Sequence, residues 1–157
     1  MTPRRISVRG IIIHNDRLLC VKHKPYKRLT ENITTYWALP GGGLEDNESL
    51  VDGIKRELLE ETGVKATIGN LLYIQQFTFN KLDYLEFFFN IINSGDFLNI
   101  DLSKTLNGHL ELAAIDFIDP RQEEVLPTFL TTENIIKKSR SNEAATIFSY
   151  TDLKPSS

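Results

Sequence analysis

Apolar and polar positions along the chain divide it into short strands and two helices. β-Branched residues dominate Ile6 to Ile13 and predict a strand, with a turn at His14-Asn15-Asp16. Arg17 to Lys22 is a second strand, expected to pair with the first as a hairpin. A polar stretch follows from His23 to Thr35, long enough for a functional loop. Tyr36 to Leu39 is short and extended, and Pro40-Gly41-Gly42-Gly43 ends it. Asn47 to Thr62 has helical spacing, with Asp46 or Asn47 as N-cap and Gly63 placed to stop it. Val64 to Phe79 and Leu82 to Asn93 read as long strands joined by a turn near Asn80-Lys81. In the second, Tyr84, Glu86 and Phe88 share one face. Leu110 to Ile118 is a further strand, and Pro127 to Arg140 a second helix. Beyond about Ser141 apolar periodicity fades, so residues 141–157 are expected to be a partly disordered tail on a single domain of residues 1–140. Many strands with two spaced helices imply a mixed sheet with helices packed on it.

Composition narrows this picture. The chain has 157 residues, 41% hydrophobic and 25% charged, which suits one domain with a sizeable core. A formal net charge of -3 disfavours a general nucleic-acid partner, though a local cation cluster can still serve a small phosphate substrate. Cys20 is the sole cysteine, which rules out an intramolecular disulfide, and its apolar neighbours suggest a buried small hydrophobe. No apolar run approaches a membrane span and no signal-peptide pattern opens the chain, so a cytoplasmic protein without a membrane partner is the expectation. A homodimer is left open.

The first helix breaks its own pattern. Leu50, Ile54 and Leu58 recur every four residues as its buried stripe, and Val51 widens it. The intervening positions of that stripe, normally apolar, hold Glu57 and Glu61, with Glu60 beside them. For a bare Glu-x-x-Glu-Glu a solvated acidic face is the commoner explanation. These glutamates, however, border the apolar stripe and follow a glycine-rich turn, where backbone can approach a ligand closely. Burying them costs several kcal/mol unless a cation compensates, and carboxylate oxygens suit a hard divalent ion such as Mg2+.

Gly42, five residues, Glu48, seven residues, then Arg56-Glu57-Leu58-Leu59-Glu60-Glu61-Thr62-Gly63-Val64 resembles the full Nudix box, with every specified position filled. Chance coincidence in a chain of this length is on the order of one in ten million. Trp37-Ala38-Leu39-Pro40-Gly41-Gly42 is similar to the usual lead-in. The resemblance implies an α/β fold, a Nudix-type α/β/α sandwich with a mixed β-sheet between helices. It implies a pyrophosphohydrolase that cleaves a phosphoanhydride bond in a nucleoside diphosphate-linked or related small molecule, with Mg2+, or Mn2+ as substitute. Glu57, Glu60 and Glu61 would hold the ions, helped by the Gly41 carbonyl, and Arg56 with Glu48 would brace loop and helix. Glu57 is the favoured general base among the box glutamates. A further acidic ligand is expected from a later segment, with Glu111 on the strand from Leu110 first and Glu123 and Glu124 next. A non-catalytic nucleotide-sensing module and an RNA-decapping pyrophosphohydrolase are the alternative readings.

Substrate selection is less sharply written. Lys24, Lys27 and Arg28, with Tyr26 among them, form the main basic cluster, either a phosphate-contacting loop or a solvated one. Trp37, Phe77, Phe79, Tyr84 and Phe88 could line a base pocket or fill the core. Tyr84 is the candidate substrate contact of this set, although it lies rather far past the box for a dinucleoside polyphosphate marker. Arg9 is a charge in an apolar strand, facing either a cleft or the sheet edge.

Overall fold

The computed structural model describes residues 3–24 and 36–150. In chain order it comprises β1 (Arg4–Ile11), β2 (Ile13–His14), β3 (Arg17–His23), β4 (Trp37–Ala38), β5 (Gly41–Gly43), α1 (Leu50–Thr62), β6 (Ile68–Phe79) and β7 (Leu82–Ile91). Single 3-10 turns at Ser94–Phe97 and Leu102–Lys104 follow. Then come α2 (Gly108–Glu111), β8 (Leu112–Ile118), β9 (Val125–Leu126), α3 (Phe129–Thr132), α4 (Ile135–Ser139) and β10 (Thr146–Tyr150).

The strands form two mixed sheets. The first runs β10-β6-β7-β1-β5, with β1 parallel to β7 and antiparallel to β5. In the second, β3 pairs antiparallel with β2, β4 and β8, and β9 lies parallel to β4. One apolar cluster joins Val8, Phe89 and Ile91 of the first sheet to Ile54 and Leu58 of α1. Another draws on both sheets and α3, through Ile11, Leu18, Leu72, Phe88 and Phe129. Because side chains alternate along a strand, β1 sends Val8 toward α1 and leaves Arg5, Ser7 and Arg9 for the opposite face. Cys20 is fully buried, as its neighbours suggested, and burial pushes its thiol pKa up.

Several boundaries differ from the sequence reading. The hairpin is confined to Ile13–His14 against Arg17–Leu18, because β1 leaves for the other sheet to pair with β5 and β7. Helix α1 starts at Leu50, and its N-cap is Ser49, whose hydroxyl accepts from the Asp52 N–H at 3.0 Å. Asn47 has φ 61, a left-handed turn conformation, so it sits outside the helix. Gly63 ends α1 as expected, at φ 74 with its N–H on the Leu59 carbonyl. The second predicted helix is two short ones, since Asn134 caps a fresh start by accepting from the Lys137 N–H. Glu111 closes α2 and does not lie on a strand. No helix among the described residues is long and apolar enough to cross a membrane.

The expected tail is structured as far as Tyr150. β10 pairs in parallel with β6 from Thr146↔Tyr73 to Tyr150↔Phe77. Parallel pairing needs no neighbouring turn, so no local signal announced it. Lys138 anchors this strand. Its side chain is 8% exposed, and its Nζ donates to the Ala144 carbonyl at 2.7 Å and to Thr146 Oγ1 at 3.0 Å. Lys138→Ala should therefore cost about 1–3 kcal/mol and speed amide exchange across 146–150. Unchanged exchange in β10 would show that Lys138 does not hold it.

Candidate active site

The site is built where α1 crosses the glycine turn of β5. Packing of Ile54 and Leu58 against β1 and β7 fixes the rotation of α1. That rotation carries Glu57, Glu60 and Glu61 onto the wall of a cleft of about 980 Å³. Gly41, Gly42 and Gly43 line the same cleft, held on β1 by the pairs Arg9↔Gly41, Val8↔Gly42 and Ser7↔Gly43.

Arg56 organises the carboxylates. Its Nε and Nη2 donate to the two oxygens of Glu48 at 2.7 and 2.9 Å. Its Nη1 donates to Glu57 at 3.0 Å and to Glu60 at 3.2 Å, and Nη2 also reaches the Gly43 carbonyl at 3.0 Å. The expected brace to Glu48 is present, and the guanidinium additionally holds two of the acidic side chains. Its hydrogen bond keeps the Glu48 carboxyl below its ordinary pKa. Glu57 is shifted the other way, because burial outweighs the Arg56 contact.

Glu61 is the most enclosed of the set, at 2% exposure. Its Oε2 accepts from the Gly41 N–H at 3.1 Å. Burial pushes its carboxyl up to about 8, against the pull of Arg9 and the Gly41 amide, while the charges of Glu57 and Glu111 add to the rise. A Cβ on Gly42 would sit 2.7 Å from the Glu57 carboxyl, so any side chain there would displace that carboxyl.

The expected ligands are thus neighbours on one wall, but they do not converge as a preformed metal site. Among the described residues no three acidic, His or Cys side chains are gathered to hold an ion. Glu57 and Glu60 are turned to Arg56, and Glu61 to the Gly41 amide. The donor set still fits a hard divalent ion: carboxylate oxygens, one of them buried with a single backbone donor. Glu111 lines the cleft from the end of α2, whereas Glu123 and Glu124 lie outside its lining.

Among the substrate candidates, Arg9 and Tyr84 line the cleft, as do Phe77, Phe79 and Phe88. Arg9 lies 3.4 Å from Glu86. Lys24 is displaced from this role, because its Nζ donates to the His109 carbonyl at 2.6 Å and it does not line the cleft. Trp37 is also outside the lining, with its ring centre 4.7 Å from the Lys22 ammonium. Tyr26, Lys27 and Arg28 lie outside the described residues. Sequence reasoning missed Asn107, whose amide donates to Glu60 at 3.1 Å from a stretch that looked like plain loop. It also missed His23 and Gln75 on the cleft wall.

The pattern of the box and the geometry of the cleft now meet the comparisons. A model of the NUDIX domain matches residues 3–101. The chain belongs to the NUDIX family. A MutT-like protein of Streptomyces ambofaciens is 35% identical over 83 residues, 52% of this NUDIX chain and 49% of that protein. An RNA pyrophosphohydrolase of Bartonella henselae is 33% identical over 66 residues, 41% of this chain and 38% of that one. The chain therefore spans about half or less of the length of these curated relatives. The solution structure of the ORF135 protein of E. coli superposes with a TM-score of 0.67 at 18% identity, covering 91% of this chain and 96% of that one, a likeness of fold. The α/β NUDIX fold expected from the box is thus the fold observed, with its strands divided between two sheets.

The buried Glu61 gives the NUDIX site a pH signature. A carboxyl raised above its ordinary 4.5 favours the folded state when protonated, and that stability is lost as pH rises through about 8. In chelator, Glu61→Gln should be more stable than the parent at alkaline pH, by on the order of 5 kcal/mol, and should lack the parent's loss of stability between about pH 4.5 and 8. Parallel stability profiles for parent and variant would count against a strained, buried carboxylate.

Proposed function

We propose that this NUDIX chain hydrolyses a phosphoanhydride bond in a nucleoside diphosphate-linked or related compound. The observation that carries this is the set of box carboxylates gathered on one wall of a large cleft around the Gly41–Gly43 turn. NUDIX hydrolases generally work with divalent ions, and Glu57, Glu60 and Glu61 would hold them here, with Mg2+ as the natural occupant and Mn2+ as a substitute. When bound, such ions neutralise the clustered phosphate charge that repels an incoming nucleophile and make water easier to deprotonate.

The chain's own residues supply the rest. Water attacks a phosphorus, the bridging P–O bond breaks, and two phosphate-bearing products leave. Glu57 is the proposed base that takes the water proton, since burial raises its proton affinity and Arg56 fixes its orientation. Arg9, whose charge is felt at both Glu57 and Glu61, faces the place where phosphoryl oxygens would lie. Arg56 positions the carboxylates and need not touch the substrate.

Excess chelator should abolish turnover on nucleotide-linked diphosphates, and Mg2+ should restore it. Glu57→Gln should lower kcat by about 100-fold or more with the fold intact by circular dichroism. Turnover that persists in chelator, or an unchanged kcat in Glu57→Gln, would overturn the mechanism. Capped or triphosphorylated RNA ends belong in the same substrate panel.

Arg56→Ala separates bracing from chemistry. It leaves Glu48, Glu57 and Glu60 without their shared cation. Loss of one partner of a buried pair costs about 3–5 kcal/mol, and the partial exposure of Arg56 reduces this to roughly 1–3. The added stability from the Glu48 pair is present above the ordinary carboxylate range and is lost as pH falls through its lowered pKa. The variant should therefore differ most from the parent near neutral pH and converge with it in acid. Equal stability of parent and variant at neutral pH would remove the brace.

A further inference from the structure

The last turn of α1 lies against the turn that opens α2, and one residue makes the join. Asn107 donates its backbone N–H to the Glu60 carbonyl at 2.8 Å. That carbonyl belongs to the final turn of α1, where carbonyls have no partner within the helix. The Asn107 side-chain amide donates to Oε2 of the Glu60 carboxylate at 3.1 Å. Backbone and side chain of one residue thus hold backbone and side chain of the other. Gly108 keeps the two turns in contact, since a Cβ there would overlap the Glu61 carbonyl oxygen. The Asn107 carbonyl accepts from the N–H groups of Leu110 and Glu111, both at 3.0 Å, so the hold on Glu60 is built into the start of α2.

The two oxygens of Glu60 are used unequally. Oε2 accepts twice, from Asn107 and from Arg56 Nη1 at 3.2 Å. Among the described residues no donor reaches Oε1. Glu60 lines the cleft with its side chain 22% exposed, so Oε1 is the oxygen left for a ligand. The terminal torsion of a glutamate is soft and roughly two-fold, and a carboxylate held by one donor can turn and exchange its oxygens. Two donors from different elements, one on α1 and one 47 positions away, oppose that rotation. They also differ in charge. Arg56 neutralises the carboxylate as it holds it, whereas the neutral amide of Asn107 holds it without competing with a cation.

We propose that Asn107 is a positioning residue that keeps the Glu60 carboxylate set for a divalent cation. The inference rests on the box glutamates being the ion site proposed above, and it adds a partner that no position of the box supplies. Groups that orient an ion's ligands typically change ion affinity by about 10–100-fold when lost. A carboxylate already fixed by its neighbours has less freedom to lose when the ion arrives, so the effect falls on ion affinity.

The test is Mn2+ binding to the whole chain without substrate, read from the electron paramagnetic resonance of the free ion. Asn107→Leu removes the amide at similar volume and keeps the backbone bonds. It should weaken Mn2+ binding about tenfold or more. In chelator its melting temperature should fall by no more than about 4 °C, the size expected for one lost hydrogen bond. A purely structural role would lower the melting temperature and leave Mn2+ affinity alone. In a Glu60→Gln background the same substitution should change Mn2+ affinity by less than about twofold, because it acts through the carboxylate. If Asn107→Leu does not fold, Asn107→Ser decides in the same way, since serine suits a helix start and its hydroxyl reaches less far. Unchanged Mn2+ affinity in the variant, or a tenfold loss that persists in the Glu60→Gln background, would overturn this role and leave the hydrolase reading standing. No Mn2+ binding by the parent would overturn both the role and the ion site it rests on.

Discussion

The arrangement of this site depends on one guanidinium. Arg56 joins Glu48, Glu57, Glu60 and the Gly43 carbonyl through its three nitrogens. Without a cation there, three carboxylates would crowd one side of a helix, where like charges repel. Its planar fork is what allows the two-pronged contact with Glu48 alongside separate contacts to Glu57 and Glu60. A lysine would offer a point charge and no fork, so it could neutralise the cluster without orienting it. Through Glu48 and Gly43 the same group ties the loop before α1 to the helix. The position of the glycine turn relative to the carboxylates is therefore set by Arg56.

That turn in turn constrains the sheet. Gly41 adopts φ 140, and a Cβ there would sit 2.1 Å from the Val8 carbonyl oxygen. Gly42 leaves room for the Glu57 carboxyl. Both demands are met because β5 pairs tightly with β1, which is itself paired with β7 over Arg4–Ile11. The apolar face of β1 and β7 fixes α1, and their opposite face becomes the cleft. The box and the cleft wall are two consequences of one strand pairing.

This division explains what was legible in the sequence. The box could be read because its residues lie within one helix and one turn, where spacing along the chain is spacing in space. Gly63, the turn at Asn80-Lys81 and the face shared by Tyr84, Glu86 and Phe88 were readable for the same reason. The contributions from elsewhere were not. Asn107 reaches Glu60 across 47 positions, and nothing in Leu106-Asn107-Gly108 marks it. Lys24 is basic and adjacent to the cluster, but its direction is set by the carbonyl of His109, 85 positions away. β10 pairs in parallel with a distant strand, so its weak periodicity looked like fraying. Gln75 is an ordinary strand residue in sequence, and only the fold shows that it lines the cleft.

One acidic group in the free protein is held at a cost on the cleft wall. Glu61 is a carboxylate in a nearly closed setting with a single backbone donor. An apolar residue of similar size would fill its place with less penalty. The fold sustains it because the α1 packing and the pairing of the glycine turn with β1 over-determine its position. A ligand that supplies positive charge there would relieve it. Because it would bind the folded state and have no comparable site in the unfolded chain, its binding energy would add to the stability of the fold. The penalty that Glu61 imposes on the free protein is thus what makes this end of the cleft selective for a ligand that brings positive charge.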